Sequence, residues 1–235
     1  MEAITTSEHL IVGAPEGRRS ITWYLGRTLR EPGHALSVLI ALLRGFWYKA
    51  SLPMRGVRFQ AGSNFRVFGS LKVRGPGTVI FGNNIVVGAR ATPWTHHEDA
   101  TIVVGDNVMM GATRFGCMQE IVIGRDCILA EASIMDSDFH SVHVNRRSES
   151  APVRTAPVHI AENVWIGQGA TILAGTRIGK NSVVSCGAVC MREFPQNVII
   201  MGNPAKPIAP VPGTSPVKAS NADPTANGRT PSVTP

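Results

Sequence analysis

The sequence predicts an all-β solenoid, a chain wound through stacked triangular turns of short parallel strands. Three observations predict it: a six-residue period of aliphatic positions, small or turn-forming residues between them, and one inserted segment that breaks the period before it resumes. From Ile160 the inward-type residues are Ile160, Ile166, Ile172, Ile178, Val184 and Cys190. A period of six is neither the 3.6 of a helix nor the alternation of a strand meander. It suits a coil in which every sixth side chain enters one central column and each turn is buried only by its neighbours.

Earlier stretches continue the pattern through Phe59, Phe65 and Leu71, Phe81 and Val87, Val104 and Met110, and Ile123, Leu129 and Met135. Gly, Asn and Asp between these positions supply the backbone angles of tight corners. Three hexads make a turn, so residues 59–194 hold about six turns once the insertion is set aside. The insertion follows Met135, and Ile160 restores the register. It contains Asp136, Asp138, His140, His143, Arg146, Arg147 and Arg154, the densest titratable cluster in the chain. Insertions into a solenoid protrude from the stack, often where binding occurs.

Residues 1–52 read as a helical segment, with Glu31-Pro32-Gly33 as a break and Ala35–Tyr48 as an apolar stretch ending in Phe46, Trp47 and Tyr48. It either packs on the main domain or rests on a membrane surface. Residues 53–209 read as the solenoid domain. Residues 210–235, rich in Pro, Ser, Thr and Asn, read as a disordered tail. The formal charge of +7 is uneven: residues 1–58 carry eight Lys/Arg against four Asp/Glu, while residues 116–204 carry seven against eight. That distribution, without interleaved aromatics, argues against a nucleic-acid partner. The cysteines Cys117, Cys127, Cys186 and Cys190 form no C-x-x-C pair, which points away from structural zinc and toward a reducing compartment. No signal peptide opens the chain, and Ala35–Leu43 is too short to span a bilayer. A cytoplasmic protein, with peripheral contact to the inner membrane face as an option, is the expectation.

The hexads with GDNV (105–108) and ENVWIG (162–167), the MDSDFH segment (135–140) and MGNPAKPI (201–208) resemble the hexapeptide-repeat O-acetyltransferases, the maltose-, galactoside- and polysaccharide-modifying enzymes. The resemblance covers roughly residues 57–209. It implies a left-handed parallel β-helix, a homotrimer, acetyl-CoA as donor and a saccharide or lipid-linked glycan hydroxyl as acceptor, with no metal. By position in the motif, His140 is the expected general base. An imidazole can take the hydroxyl proton as the C–O bond forms and return it to the departing thiolate. Asp136 or Asp138 could orient it, the sequence leaving that choice open, and His143 is the alternative base. Asp136, Asp138, His143 and Trp165 are expected on the acceptor side. The resemblance puts the thioester carbonyl at the Gln168 backbone N–H, pantetheine along Cys186–Gly187, and nucleotide phosphates near Arg192 and Lys206. Relatives often carry Thr-Lys where this chain has Met191-Arg192, and DSDFHS favours the polysaccharide branch.

Competing expectations are transfer to an amine, a non-catalytic scaffold, and a metalloenzyme on the same fold, which would need three converging histidines. His96 and His97 lie in a second break of the repeat, and His159 should point outward beside Ile160.

Overall fold

A computed structural model describes residues 32–214. The expectations for residues 1–31 and for the tail beyond residue 214 lie outside the described residues. Helix α1 (Pro32–Met54) is followed by a coil of short parallel strands in three sheets of seven, eight and six. The first sheet begins at Arg58–Ala61, the second at Arg66–Val67 and the third at Ser70–Leu71; each strand pairs in parallel with its equivalent one turn on. The parallel β-helix has six complete turns and a seventh with two sides, the six that the period suggested for residues 59–194 and a partial turn at the end.

The aliphatic period sets the core. Ile160, Ile166, Ile172, Ile178, Val184 and Cys190 are all buried, as are Phe59, Phe65, Leu71, Phe81, Val87, Val104, Met110, Ile123 and Leu129. Met135 departs from the expectation: Ile134 is the inward residue, in register with Phe115 above and Ile172 below. The corner between the second and third sheets is one residue shorter there. Leu129 to Ile134 and Met110 to Phe115 take five steps, whereas Ile166 to Ile172 and Val184 to Cys190 take six. Each longer corner carries a glycine with left-handed backbone, Gly169 (φ +71°) and Gly187 (φ +68°).

The corner between the first and second sheets is built differently. Asn64, Asn84, Asn107, Asp126, Asn163, Asn181 and Asn197 stack there with φ between 52° and 62°. Asn and Asp tolerate this conformation better than other side chains. Each amide donates to the next: Asn64 to Asn84, Asn84 to Asn107 and Asn107 to Asp126, all at 2.9 Å. A carboxylate has no proton to pass on, so the run ends at Asp126. A second run starts at Asn163 and continues through Asn181 to Asn197.

Phe59, Phe65 and Phe81 pack ring against ring at the start of the core, with centroids 5.4–6.0 Å apart. α1 closes this end. Pro32 occupies its first turn, where a missing N–H costs nothing, and Ala41, Gly45, Tyr48 and Leu52 form the stripe turned to the coil. A Cβ on Gly45 would collide with the Phe65 carbonyl, so the helix sits directly on the strand backbone. At the far end Val198–Gly202 folds back antiparallel on Ala205–Pro210.

The three outer faces differ in chemistry. On the first sheet, Glu120, His159 and Arg177 form a chain. His159 Nε2 donates to Glu120 at 2.7 Å, and Arg177 Nη1 donates to His159 Nδ1 at 2.6 Å. His159 thus points outward, as its neighbour Ile160 required. The third sheet shows mostly Ser, Arg and Thr. The second shows, in register, Arg66, Val86, Met109, Ile128, Trp165, Val183 and Ile199, an apolar ladder broken only at its first rung.

Candidate active site

The inserted segment leaves the stack between Ser133–Met135 and Val158–Ile160. Its base is fastened at both ends. The Asp136 carbonyl accepts from Ala156 N–H at 2.9 Å, the Asp138 N–H donates to the Arg154 carbonyl at 3.1 Å, and Ser137 and Thr155 form an antiparallel bridge. Arg154 Nη2 donates to the Ala174 carbonyl at 2.9 Å, tying the returning strand to the turn below. Between these ties the chain bulges outward and carries His140 and His143, both exposed.

Asp136 does not join them. The sequence places it on the acceptor side, but it is wholly buried and its carboxylate is taken by the corner one turn above. Oδ1 accepts from Met118 N–H at 2.7 Å, and Oδ2 accepts from Gln119 and Glu120 N–H at 2.7 and 2.8 Å. The Cys117 thiol also contacts Oδ2 at 3.4 Å. Burial and the Asp136 charge push that thiol well above the ordinary range, so it stays protonated and serves as a donor. Asp136 therefore holds the Met118–Glu120 corner and the root of the loop. Asp138 is the exposed carboxylate of the two, and its carbonyl accepts from His140 N–H at 2.7 Å in a tight turn.

Phe139, immediately before His140, has φ 58°. Its ring lies over Gly116, where a Cβ would come within 2.8 Å of it. The other side of the ring meets His96, at 4.6 Å between centroids; His96 stacks on Trp94 at 4.5 Å, and the Arg74 guanidinium covers Trp94 at 5.3 Å. This column crosses three turns and anchors the loop beside His140. Desolvation between the rings lowers the His96 pKa below its ordinary value, opposed by the Asp136 charge. The second break in the repeat thus has a structural role that the sequence did not reveal.

His140 lines an open cleft of about 560 Å³ with Met135, Ser137, Asp138, Ser141, Val142, Arg146 and Leu173. Met135, expected in the core, instead forms part of this wall. His143 is not among the lining residues; its Nδ1 accepts from Asn145 N–H at 3.4 Å.

The other expected residues lie elsewhere on the coil. Gln168, Cys186 and Gly187 share the longer corner between the second and third sheets, where Gly187 N–H donates to the Gln168 carbonyl at 2.9 Å. The Gln168 side chain donates to Glu131 at 2.6 Å, and its backbone N–H has no partner among the described residues. A Cβ on Gly167 would press on Cys186 N at 2.7 Å, so two neighbouring corners meet here backbone to backbone. Arg192 is exposed beyond Cys190, with its guanidinium over Phe194 at 5.6 Å, and Lys206 is exposed on the terminal hairpin. Trp165 projects from the second sheet, 51% exposed, beside a shallow hollow with Ile128 and Val183. Within one chain, then, the His140 cleft and Trp165 occupy different faces. Among the described residues no group of three or more His, Cys, Asp or Glu side chains is arranged to hold a metal ion.

Comparison with known proteins agrees with the repeat. Residues 157–192 match the family of bacterial transferase hexapeptides (six repeats). The chain is 35% identical over 85 residues to the galactoside O-acetyltransferase of Lactococcus lactis subsp. lactis, covering 36% of this chain and 41% of that one. It is 28% identical over 131 residues to the galactoside O-acetyltransferase of Escherichia coli K12, covering 54% and 55%. The chain spans about half the length of the curated relatives it matches. Among solved structures, AntD, an N-acyltransferase from Bacillus cereus in complex with dTDP and 3-hydroxybutyryl-CoA, superposes with a TM-score of 0.56 at 16% identity. The superposition covers 69% of this chain and 88% of AntD, a likeness of fold.

Proposed function

We infer that this chain is a hexapeptide-repeat acetyltransferase, which transfers an acetyl group from acetyl-CoA to a hydroxyl of a saccharide or glycan precursor with His140 as general base. The observation that carries the reading is the His140 cleft. An imidazole with no side-chain partner among the described residues stands in an open cavity, on a loop fastened to the coil by Asp136, Arg154 and the Phe139 column.

A sugar hydroxyl bound in the cleft gives its proton to the imidazole as its oxygen attacks the thioester carbon. The tetrahedral oxyanion is met by a backbone donor, for which the unpartnered Gln168 N–H is suited when it comes, like Trp165, from a neighbouring copy. Collapse breaks the C–S bond, and the imidazolium returns the proton to the coenzyme A thiolate. The exposed backbone at Cys186–Gly187 offers a track for the pantetheine arm, and Arg192 and Lys206 offer cations for its phosphates. Asp138 and Arg146 bring opposite charges to the acceptor side of the cleft.

A homotrimer completes this reading. The outer face of the second sheet is apolar for six consecutive rungs, from Val86 to Ile199, and a soluble coil covers such a face. Packing one copy's second sheet beside the next copy's third sheet brings Trp165 of one chain toward the loop of another, which the single chain keeps apart. The test is thiol release from acetyl-CoA by the purified full chain, offered a panel of saccharides, amino sugars and lipid-linked glycans. Release that depends on a hydroxyl acceptor supports the reading. A response to amino sugars alone would make the acceptor an amine, and no response to any acceptor would favour a scaffold.

A further inference from the structure

We propose that the outer face of α1 is a docking surface for an anionic lipid bilayer and seats the coil on the membrane without crossing it. The inference is independent of the acyl-transfer reading. α1 turns only its stripe of Ala41, Gly45, Tyr48 and Leu52 to the coil. The opposite side presents Leu36, Leu39, Ile40, Leu43, Phe46 and Trp47, with 41–72% of each side chain exposed. A contiguous apolar face of this kind is not left in water by a monomeric soluble protein.

Charge selects the occupant. Between Pro32 and Arg58 there is no Asp or Glu, while Arg44, Lys49, Arg55 and Arg58 are all present and exposed. Arg44 and Lys49 are held in place, donating to the carbonyls of Phe68 at 2.7 Å and Gly62 at 2.9 Å. Leu, Phe and Trp on one side with fixed cations along the flank match an acyl–headgroup boundary carrying negative charge. A second copy of this chain would bring the same cations against themselves.

By length and composition the segment Gly33–Met54 could cross a membrane. The packing argues that it lies on the surface. From Arg44 onward the helix is bonded to the first turn of the coil, which cannot enter hydrocarbon. The part ahead of the buried Ala41, Gly33 to Ile40, is about 12 Å long at ~1.5 Å per residue, less than half of the ~30 Å hydrocarbon core. It can sink its apolar side into one leaflet and no further.

The experiment is flotation of the purified full chain with vesicles of phosphatidylcholine alone and of phosphatidylcholine mixed with phosphatidylglycerol. The wild type should float with the mixed vesicles and far less with the neutral ones. Leu39→Asp combined with Leu43→Asp should lower binding by ~10²-fold or more, since two buried leucines are exchanged for charges. Both positions are solvent-facing, so the melting temperature and the light-scattering mass should not change. The fluorescence of Trp47, read as the difference between wild type and Trp47→Phe, should move to shorter wavelength with mixed vesicles only. Four outcomes would overturn the proposal: a wild type that stays unbound, a double variant that floats equally well, a fall in mass of the variant, which would make the face a contact between copies, or retention of cell-membrane protein through an alkaline carbonate wash, which would make the helix membrane-spanning.

Discussion

Asp136→Asn separates a structural carboxylate from a substrate-binding one, and its magnitude follows from the geometry. The carboxylate is fully buried and accepts three backbone N–H bonds of 2.7–2.8 Å. An amide of the same shape keeps one acceptor. In its better orientation the oxygen stays with Gln119 and Glu120, and the NH₂ group faces the Met118 N–H, donor against donor. One charge-assisted bond is lost and a buried donor is left unpaired, at ~1.5–3 kcal/mol, and the two surviving bonds weaken from charged to neutral acceptance. A total near 3 kcal/mol lowers the melting temperature by about 6–12 °C for a domain of this size. Asp138→Asn, on an exposed side chain, should stay within ~0.5 kcal/mol. The assay is thermal unfolding of both variants, with thiol release measured well below the transition. Asp136→Asn with unaltered stability and abolished turnover would refute the reasoning and return Asp136 to the acceptor.

His140→Ala should lower kcat by about 10²–10⁴-fold in the thiol-release assay and leave the melting temperature and acetyl-CoA binding unchanged, because the exposed loop ring contributes little to the core. Gly116→Ala puts a methyl group within 2.8 Å of the Phe139 ring, so kcat should fall at least tenfold while circular dichroism shows the coil intact. His96 sets a pH dependence. Its lowered pKa means the unfolded chain binds that proton more readily, so stability should decline as pH falls through about 6.5 toward the lowered value, and His96→Phe should flatten that part of the Tm–pH curve. Asn107→Ala removes the ladder amide and forces an alanine to φ 59°, which should cost ~1–2 kcal/mol in chemical denaturation, against a smaller loss for Asn107→Gly.

The fold was legible because solenoid burial repeats. Ile160 to Cys190 occupy equivalent places, and one strong hexad predicts the next. Legibility faded where corner length varied. Met135 stands six residues after Leu129, yet the corner there uses five, and the inward place goes to Ile134. Nothing local announces that shortening; it appears only when Ile134 aligns with Phe115 and Ile172. The exposure of His140 was legible from the loop that carries it. The role of Asp136 was not, since its partners lie 16–18 residues earlier and meet it only through the stacking of turns. The same holds for the contact of His96 with Phe139, which comes from a later turn, whereas Trp94 stands only two residues before His96.

The most direct test of His140 as the base is the pH dependence of thiol release at saturating acetyl-CoA and acceptor, measured for wild type and His140→Ala. The wild-type rate should rise with pH in a single step to a plateau, because only the unprotonated form of a general base accepts the proton. The variant should be slow throughout and lack that step. A variant with the same step and comparable turnover would contradict the account, since the titrating group would then reside elsewhere.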